Sequence, residues 1–400
     1  MDYQMKRPNI ALLTALDAQD RRSWSGTFYF IAQTLQKYCG DVSYLGPMSG
    51  GSEMLLGRAL HTSAQLVTGK RFLFRHSRAV AKRYARIAQK RLTDKSFDVV
   101  IALSGATEIA YLQTALPVVL VEDANFPLLH GYHQHFSSLL TSSAQQVNEI
   151  QARGLARADL VLYSTSWAAQ SAVNYYHVNP QKIQVVPFGA NIERIPDREK
   201  VLTRKRSAYC SLLFVGVNWE RKGGQIAFDA LCELGRMGID ATLTVCGCMP
   251  PRNVRHPRML VIPFLDKNDQ EQCQRLEALY LRSDFLLLPT RNECFGIAAC
   301  EASAFGLPVV TTHTGGVPEV VRNGENGFTL PYDASGQDYA LLIARVYQNP
   351  VRYQQLIQTS RDAFEQRLNW DLWGMTTRSA LERMLYRVRS PRVLAHHFSG

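Results

Sequence analysis

The chain contains no apolar run near the roughly 20 residues that a membrane-spanning helix needs. Its apolar stretch Ile10 to Leu16 is too short even for the core of a signal peptide. The eight cysteines (Cys39, Cys210, Cys232, Cys246, Cys248, Cys273, Cys294 and Cys300) include no CxxC pair and no zinc-type spacing, so they read as reduced thiols. Asn-x-Ser/Thr acceptor sites are absent as well. No candidate strand runs into GxGxxG, and no Walker lysine motif occurs, which argues against a dinucleotide oxidoreductase. Acidic residues are also short, 34 against 45 Lys and Arg, for a formal charge of +11. The imbalance is local: residues 58–95 hold eleven Lys or Arg against Asp94 alone. These features set the expectation of a cytoplasmic protein with an anionic partner.

What is present is ample core material, 46% hydrophobic against 20% charged over 400 residues, enough for two globular domains. Short apolar runs alternate with longer amphipathic stretches, the pattern of α/β folds with parallel sheets flanked by helices. The predicted strands are Asn9–Leu16, Val42–Leu45, Asp98–Leu103, Pro117–Val121, Leu160–Ser164 and Ile183–Pro187. A charged, aperiodic stretch follows, and then Leu212–Gly216, Ala241–Cys246, Met259–Ile262, Phe285–Leu288 and Pro308–Thr312. Two doubly wound, Rossmann-like sheets follow from this order. Their boundaries are predicted at residues 1–188 and 208–365, with 189–207 as linker and 366–400 as a helical tail crossing back onto the first domain. Ligands of such sheets bind beyond the carboxyl ends of the strands, so two facing sheets would place a site in a cleft between them.

The most informative segment is RNECFGIAACEASAFGLPVVTTHTGGVPEVVRNGENGFTLP, Arg291 to Pro331. A strand ends at Leu288, a polar turn follows, and Gly296 opens an Ala-rich helix, so the amides of Phe295, Gly296 and Ile297 form an anion-binding helix terminus. Glu293 precedes the helix and Glu301 lies within it, about 12 Å along the axis if both were helical. That is too far apart for an acid/base pair acting on one bond, and it suits two ends of an elongated polyol. In FVGVNWERKGGQIAFDAL, Phe214 to Leu231, Arg221 and Lys222 fall just before a helix N-terminus. Positive charge is disfavoured there unless an anion is bound.

The segment ECFGIAACE resembles the E-x7-E signature of GT-B glycosyltransferases, in particular the retaining family 4. The resemblance covers residues 159–332 clearly, including ADLVLYSTSWAAQSAVNYYHVNPQKIQVVPFGANIERI, the GG-x-PE turn and an N-G-x-N-G hairpin. It implies that Glu301 holds the ribose of a nucleotide sugar, Glu293 the transferred sugar, and the Phe295 to Ile297 amides the diphosphate or sugar. Lys222 matches the family's diphosphate lysine. The family's arginine position holds Val217, and Arg221 is the candidate replacement.

The first half carries RRSWSGTFYFIAQTLQ, where Ser25-Gly26-Thr27 form a small-residue turn before a helix whose amides can meet phosphate; it resembles the family's small-residue loop after the first strand, with Ser25 in place of one of its two usual glycines. Ser25 read as a simple N-cap explains the same residues. Asp123, after the fourth strand, stands where many family members have histidine; it either serves the acceptor hydroxyl or caps a helix. His130, His133 and His135 lack the carboxylates of a metal cage, so no metal is expected. Arg71, Arg75, Arg78, Lys82 and Arg86 recur at helical spacing opposite Leu73, Val80, Tyr84 and Ile87. They predict a basic helix face, either simply solvated or docked on an anionic membrane or a lipid-phosphate acceptor; interleaved aromatics for nucleic acid are missing.

The sequence thus predicts a metal-independent hexosyltransferase, without a cofactor beyond its nucleoside-diphosphate sugar donor. It would act on a saccharide or lipid-linked acceptor in bacterial-type polysaccharide or glycolipid synthesis, from the cytoplasm or the inner face of a membrane. Glu293, Arg221, Lys222 and Asp123 are the expected catalytic residues, and Glu301, Gly26, Phe295, Gly296 and Ile297 the donor contacts. A sugar-nucleotide epimerase and an inactive nucleotide-sugar-binding module remain open on the same residues.

Overall fold

A computed structural model describes residues 7–203 and 209–397. The chain divides into two compact units. The first joins the residues up to Val186 with those from Trp373 onward, and the second is Pro187–Leu372. The first unit is built on β1 (Asn9–Leu13), β2 (Asp41–Tyr44), β3 (Val99–Leu103), β4 (Val118–Glu122), β5 (Leu160–Tyr163) and β6 (Ile183–Val185). The second contains β7 (Cys210–Val215), β8 (Ala241–Cys246), β9 (Met259–Ile262), β10 (Phe285–Leu288), β11 (Val309–Thr312) and β12 (Gly327–Leu330). Both sheets are six-stranded and wholly parallel, in the orders β2-β1-β3-β4-β5-β6 and β12-β11-β10-β7-β8-β9.

The apolar runs become strands because helices cover both faces of each sheet. β3, β4, β5, β10 and β11 are buried at every position, as parallel strands inside an α/β layer must be. The edge strand β2 instead keeps Asp41 exposed. Helices supply the complementary stripe: in Thr27–Tyr38, Phe28, Ile31, Ala32 and Leu35 recur at three- and four-residue spacing and are buried.

All eleven predicted strands are present, Ala241–Cys246, Met259–Ile262 and Phe285–Leu288 with the bounds expected and the others within three residues of them, and one further strand was not expected. β12 was read as part of a hairpin, but it runs parallel to β11, with Val310 opposite Phe328. A four-residue strand opened by glycine gives little signal. Glycine is required because a Cβ at Gly327 would lie 2.0 Å from the Val309 carbonyl oxygen. The buried Asn326 side chain secures the bend, donating to Ser303 Oγ and the Val320 carbonyl and accepting from the Arg322 amide.

The stretch expected as a linker packs within the second unit over its described part. Ala190 donates to the Leu368 carbonyl, Trp370 Nε1 to Asn191 Oδ1, Arg198 pairs with Asp362 and Glu365, and Val201 is buried. The last helix, Trp370–His397, supplies the first unit with Trp373, Ala380, Leu381 and Leu385 as buried residues. Gly374 allows close approach there, since a Cβ would meet the Tyr38 ring at 2.4 Å.

The basic stretch is not one helix. Ser77 caps a helix that starts at Arg78, leaving Arg75 in a separate 3-10 turn and Arg71 in a bridge to Leu139. Arg78 donates to Glu149, Arg86 to Glu53, and Lys82 lies over the Tyr111 ring. Arg71 donates to the Gln134 carbonyl, so four of the five cations are engaged inside the unit, and Val80 and Tyr84 are buried as expected.

Two carboxyls are buried near the carboxyl ends of the first sheet. Glu108 accepts from the Ala15 amide at 2.9 Å, and burial raises its pKa to about 7. Glu122, at the end of β4, accepts from Gln151 at 3.0 Å; burial raises it to about 8, against the lowering effect of that bond. An acid that holds its proton more tightly when folded favours the fold below its unfolded pKa, and that contribution is lost as pH rises toward the folded value. Glu122→Gln keeps the acceptor for Gln151 and removes the ionisation. Urea denaturation across pH should show wild type losing stability relative to the variant by up to about 1.4 kcal/mol per pH unit as pH rises toward 8. Parallel pH profiles for the two proteins would refute a protonated Glu122.

Candidate functional site

The order of the second sheet reverses between β10 and β7, so the connections leaving these neighbouring strands diverge and leave a crevice at their carboxyl ends. Arg221 and Lys222 leave β7 just before the helix Gly224–Arg236, and Glu293 leaves β10 in the turn before the helix Ile297–Ala304. The structure brings all three together. Lys222 Nζ pairs with Glu293 Oε2, and Arg221 Nη1 lies 4.0 Å from the same oxygen while donating to the Asn292 carbonyl at 3.1 Å.

Backbone contacts hold the two turns in register. The Arg291 amide donates to the Arg221 carbonyl at 2.7 Å, and Asn218 Oδ1 accepts from the Arg221 amide at 2.7 Å. Gly223, with φ 74°, makes the approach feasible: a Cβ would sit 2.0 Å from the Pro289 carbonyl oxygen. At Gly216 a Cβ would meet Lys222 Cγ at 2.7 Å, so the bare backbone leaves a path for the lysine stem. Val217, at the family's arginine position, is exposed.

Gly296 is the N-cap of the Ile297–Ala304 helix in a left-handed conformation, with no side-chain cap. Phe295 is buried, its ring edge-on to Phe188 at 5.2 Å, so its side chain belongs to the core and only its amide is available for a site. Glu301 is buried midway along the helix with both oxygens engaged. Lys267 Nζ lies 2.5 Å from Oε1 and the Tyr280 hydroxyl donates to Oε2 at 2.7 Å. Burial, then the Glu301 charge, pushes the Tyr280 phenol well above its usual range, which keeps it a donor. The ring of Tyr280 stacks on Phe305 at 5.4 Å, fixing the direction of that bond.

In the first unit the reversal lies between β1 and β3. Trp24, Ser25 and Gly26 hold three successive left-handed conformations ahead of the helix Thr27–Tyr38. Two of these are non-glycine residues, a strain of order 1–3 kcal/mol each. Gly26, not Ser25, is the N-cap, which removes the simple capping reading of Ser25. Asp123 follows β4 and is half-buried. The short helix beyond it takes Asn125 as N-cap, so Asp123 is not the cap either. His130 stacks on Phe126, and His133 Nδ1 accepts from the His135 amide. Among the described residues no group of three or more His, Cys, Asp or Glu is placed to hold a metal.

Lys267, Tyr280 and Asn218 were not anticipated. Lys267 had a readable signal, lying a few residues beyond the end of β9 on the ligand side of the sheet. Tyr280 had none, because only the tertiary packing of the helix Gln270–Arg282 brings it to Glu301.

Comparison with known proteins places both units. The family described as Glycosyltransferase Family 4 matches residues 28–194, and that described as Glycosyl transferases group 1 matches residues 200–363. A D-inositol 3-phosphate glycosyltransferase of Corynebacterium diphtheriae is 28% identical over 229 residues, 51% of this chain and 53% of the relative. The chain thus spans about half the length of the curated relatives it matches. Sucrose-phosphate synthase of Thermosynechococcus elongatus shares the fold with a TM-score of 0.68 at 13% identity, over 96% of this chain and 100% of that one. The Anabaena protein HepE, solved in complex with UDP-glucose, aligns with a TM-score of 0.61 at 14% identity, over 94% and 100%. The chain thus has the GT-B fold of two parallel α/β sheets, and its first half resembles the family 4 glycosyltransferase model and its second half the group 1 model, each over less than half of the chain.

Proposed function

We propose that the protein is a retaining glycosyltransferase that moves a hexose-type sugar from a nucleoside-diphosphate donor to an acceptor hydroxyl without a metal. The observation that carries this reading is the pairing of Lys222 with Glu293, with Arg221 beside it, at the switch point of the second sheet. Two cations and a helix terminus at Gly296 converge where a diphosphate would develop charge as the sugar leaves, which is the arrangement that lowers the barrier for such a departure. A diphosphate entering there would take Lys222 and free Glu293 to accept hydrogen bonds from sugar hydroxyls. Glu301 would hold the ribose at the far end. Arg221 takes the part of the arginine missing at Val217, and the two cations replace a divalent ion.

Gly26, through the amides that follow it, and Asp123 are the proposed contributions of the first unit. In the reaction the acceptor oxygen bonds to the anomeric carbon on the face from which the diphosphate departs, and the acceptor proton passes to the leaving phosphate. No side chain is assigned as a covalent nucleophile. The names of the relatives agree with this chemistry: one is a D-inositol 3-phosphate glycosyltransferase and another was solved with UDP-glucose. The acceptor is a saccharide or lipid-linked saccharide, and the protein acts in the cytoplasm or at the inner face of a membrane.

In thermal-shift titrations with UDP-, GDP- and ADP-sugars, one donor class should raise the melting temperature as ln(1 + [L]/Kd). Lys222→Ala should weaken that donor about tenfold or more, about 1.4 kcal/mol. Glu301→Gln should weaken it likewise, whereas Glu293→Ala should lower turnover more than binding. Absence of any shift with folded protein would overturn the reading, and conversion of the donor without acceptor would show an epimerase instead. Turnover should persist in EDTA, and NMR of the first-formed product should show the donor's anomeric configuration. Inversion, or loss of activity restored by a divalent ion, would contradict the mechanism.

A further inference from the structure

Residues 71–77 of the first unit are laced to the connection that follows β4. The Arg71 amide donates to the Ser138 carbonyl at 2.8 Å, the Leu140 amide to the Arg71 carbonyl at 2.9 Å, and the Leu73 amide to Ser143 Oγ at 2.9 Å. Leu73, Phe126, Leu139 and Val147 form a small core of their own, with Phe136 packed against it. This lacing brings side chains far apart in sequence, His61, Arg71, Arg75, His76 and His135, to the walls of one cavity of about 240 Å³. The cavity lies on the ligand side of the first sheet. His76 Nδ1 is 2.9 Å from Oγ1 of Thr107, in the short helix Ala106–Ile109 just beyond β3, and His135 belongs to the connection leaving β4.

No carboxylate lines this cavity. Among the described residues Arg71 and Arg75 make no ion pair, whereas Arg78, Arg83 and Arg86 of the next helix each reach a glutamate. Arg71 is aimed by a 2.7 Å bond from Nη1 to the Gln134 carbonyl, which leaves the rest of its guanidinium donors for a ligand. His61 is fixed by Nδ1, 3.0 Å from the Phe72 carbonyl oxygen. Burial, then the charges of His135 and Arg75, holds His76 down to about 4. Desolvation, then Arg71, Arg75 and His61, lowers His135 as well. Every charge that shifts these two rings is positive. Basic groups gathered without a counter-charge repel one another, and a bound anion relieves that repulsion.

We propose that this cavity is a phosphoryl-binding site for a small soluble phosphomonoester, Arg71 and Arg75 taking the phosphoryl oxygens and the imidazoles of His61, His76 and His135 closing around them. A carboxylate would leave the cavity half used, because one guanidinium fork satisfies its two oxygens. A phosphoryl group brings three acceptor oxygens and close to two charges, which engage both arginines and an imidazole. The volume lies below the roughly 300–1,000 Å³ of pockets for drug-sized ligands, so the molecule is of monosaccharide size rather than an oligosaccharide. None of these residues belongs to the donor site of the second unit, and the inference does not rest on its chemistry.

The test follows the ring Cε1–H signals of His76 and His135 by NMR in the full chain, titrated with inorganic phosphate and with methyl phosphate, against potassium chloride at equal ionic strength. Both phosphates should move the two signals saturably and raise the pKa of His135, and chloride should do neither. Arg75→Gln should weaken phosphate tenfold or more while keeping the wild-type melting temperature, since Arg75 is exposed and pairs with no carboxylate. Arg71→Lys, which retains the charge and loses the fork, should weaken it too. Lys222→Ala should leave the response of both histidines intact, so that phosphate bound in the second unit is not mistaken for this site and a failure of the donor reading leaves the result standing. Signals that stay in place, that move equally in chloride, or that respond in Arg75→Gln as in wild type overturn the proposal. A hexose 6-phosphate supplied with a nucleotide sugar then separates two sources of the phosphoryl group. Its glycosylation, with a KM raised by Arg75→Gln, makes it the acceptor's; saturable binding without incorporation makes it an effector's, and either result upholds the site.

Discussion

The parallel pairing of β7 with β10 is the contact on which the candidate site of the second unit depends. Leu212 stands opposite Phe285 and Leu213 opposite Leu286, so two strands far apart in sequence deliver their carboxyl ends to one place. The turns beyond them must then pass within bonding distance, and a side chain at residue 223 would block this by colliding with the Pro289 carbonyl. The amide of Arg291 closes the contact on the carbonyl of Arg221. Everything that gives the site its charge hangs from that junction. Arg221 and Lys222 ride on one turn and Glu293 on the other.

The electrostatics of the second unit are balanced within the chain. Lys222 is neutralised by Glu293 and Lys267 by Glu301, each at low exposure, where an uncompensated charge would be costly. The pairs differ in how firmly they are held. Glu301 has a second anchor in the buried hydroxyl of Tyr280, while Glu293 sits in a turn with two cations around one oxygen. In the proposed reading an anionic ligand would compete with Glu293 for these cations. A polyol needs only acceptors that are already oriented, and Tyr280 and Lys267 orient Glu301.

Much of this was legible in the sequence because it is written locally. Arg221, Lys222, Glu293 and Gly296 lie between a strand end that an apolar run marks and the helix that follows, Glu301 lies within such a helix, and the rule that ligands gather beyond those ends does the rest. What escaped was non-local or too short. β12 is four residues long and depends on one glycine fitting against Val309, and Tyr280 reaches Glu301 only through the packing of a separate helix. The basic stretch shows a different limit. Helical spacing of Arg71 to Arg86 is real as arithmetic, yet Ser77 caps a new helix in its middle and Glu149 and Glu53 absorb two of its charges.

The first unit treats the same topological position differently. At or beyond the ends of its strands it holds carboxyls, Glu122 and Glu108, in surroundings that favour the protonated form, and a loop, Trp24 to Gly26, whose backbone is strained. Neither is visible as a motif, since a buried neutral glutamate and a left-handed tryptophan look like any others in one dimension. The second unit concentrates paired charge beyond its strand ends, whereas at the strand ends of the first burial raises the pKa of Glu108 and Glu122, with the Asp123 charge beside Glu122. The two charge patterns are thus carried by different sheets, each set by burial and pairing within its own unit.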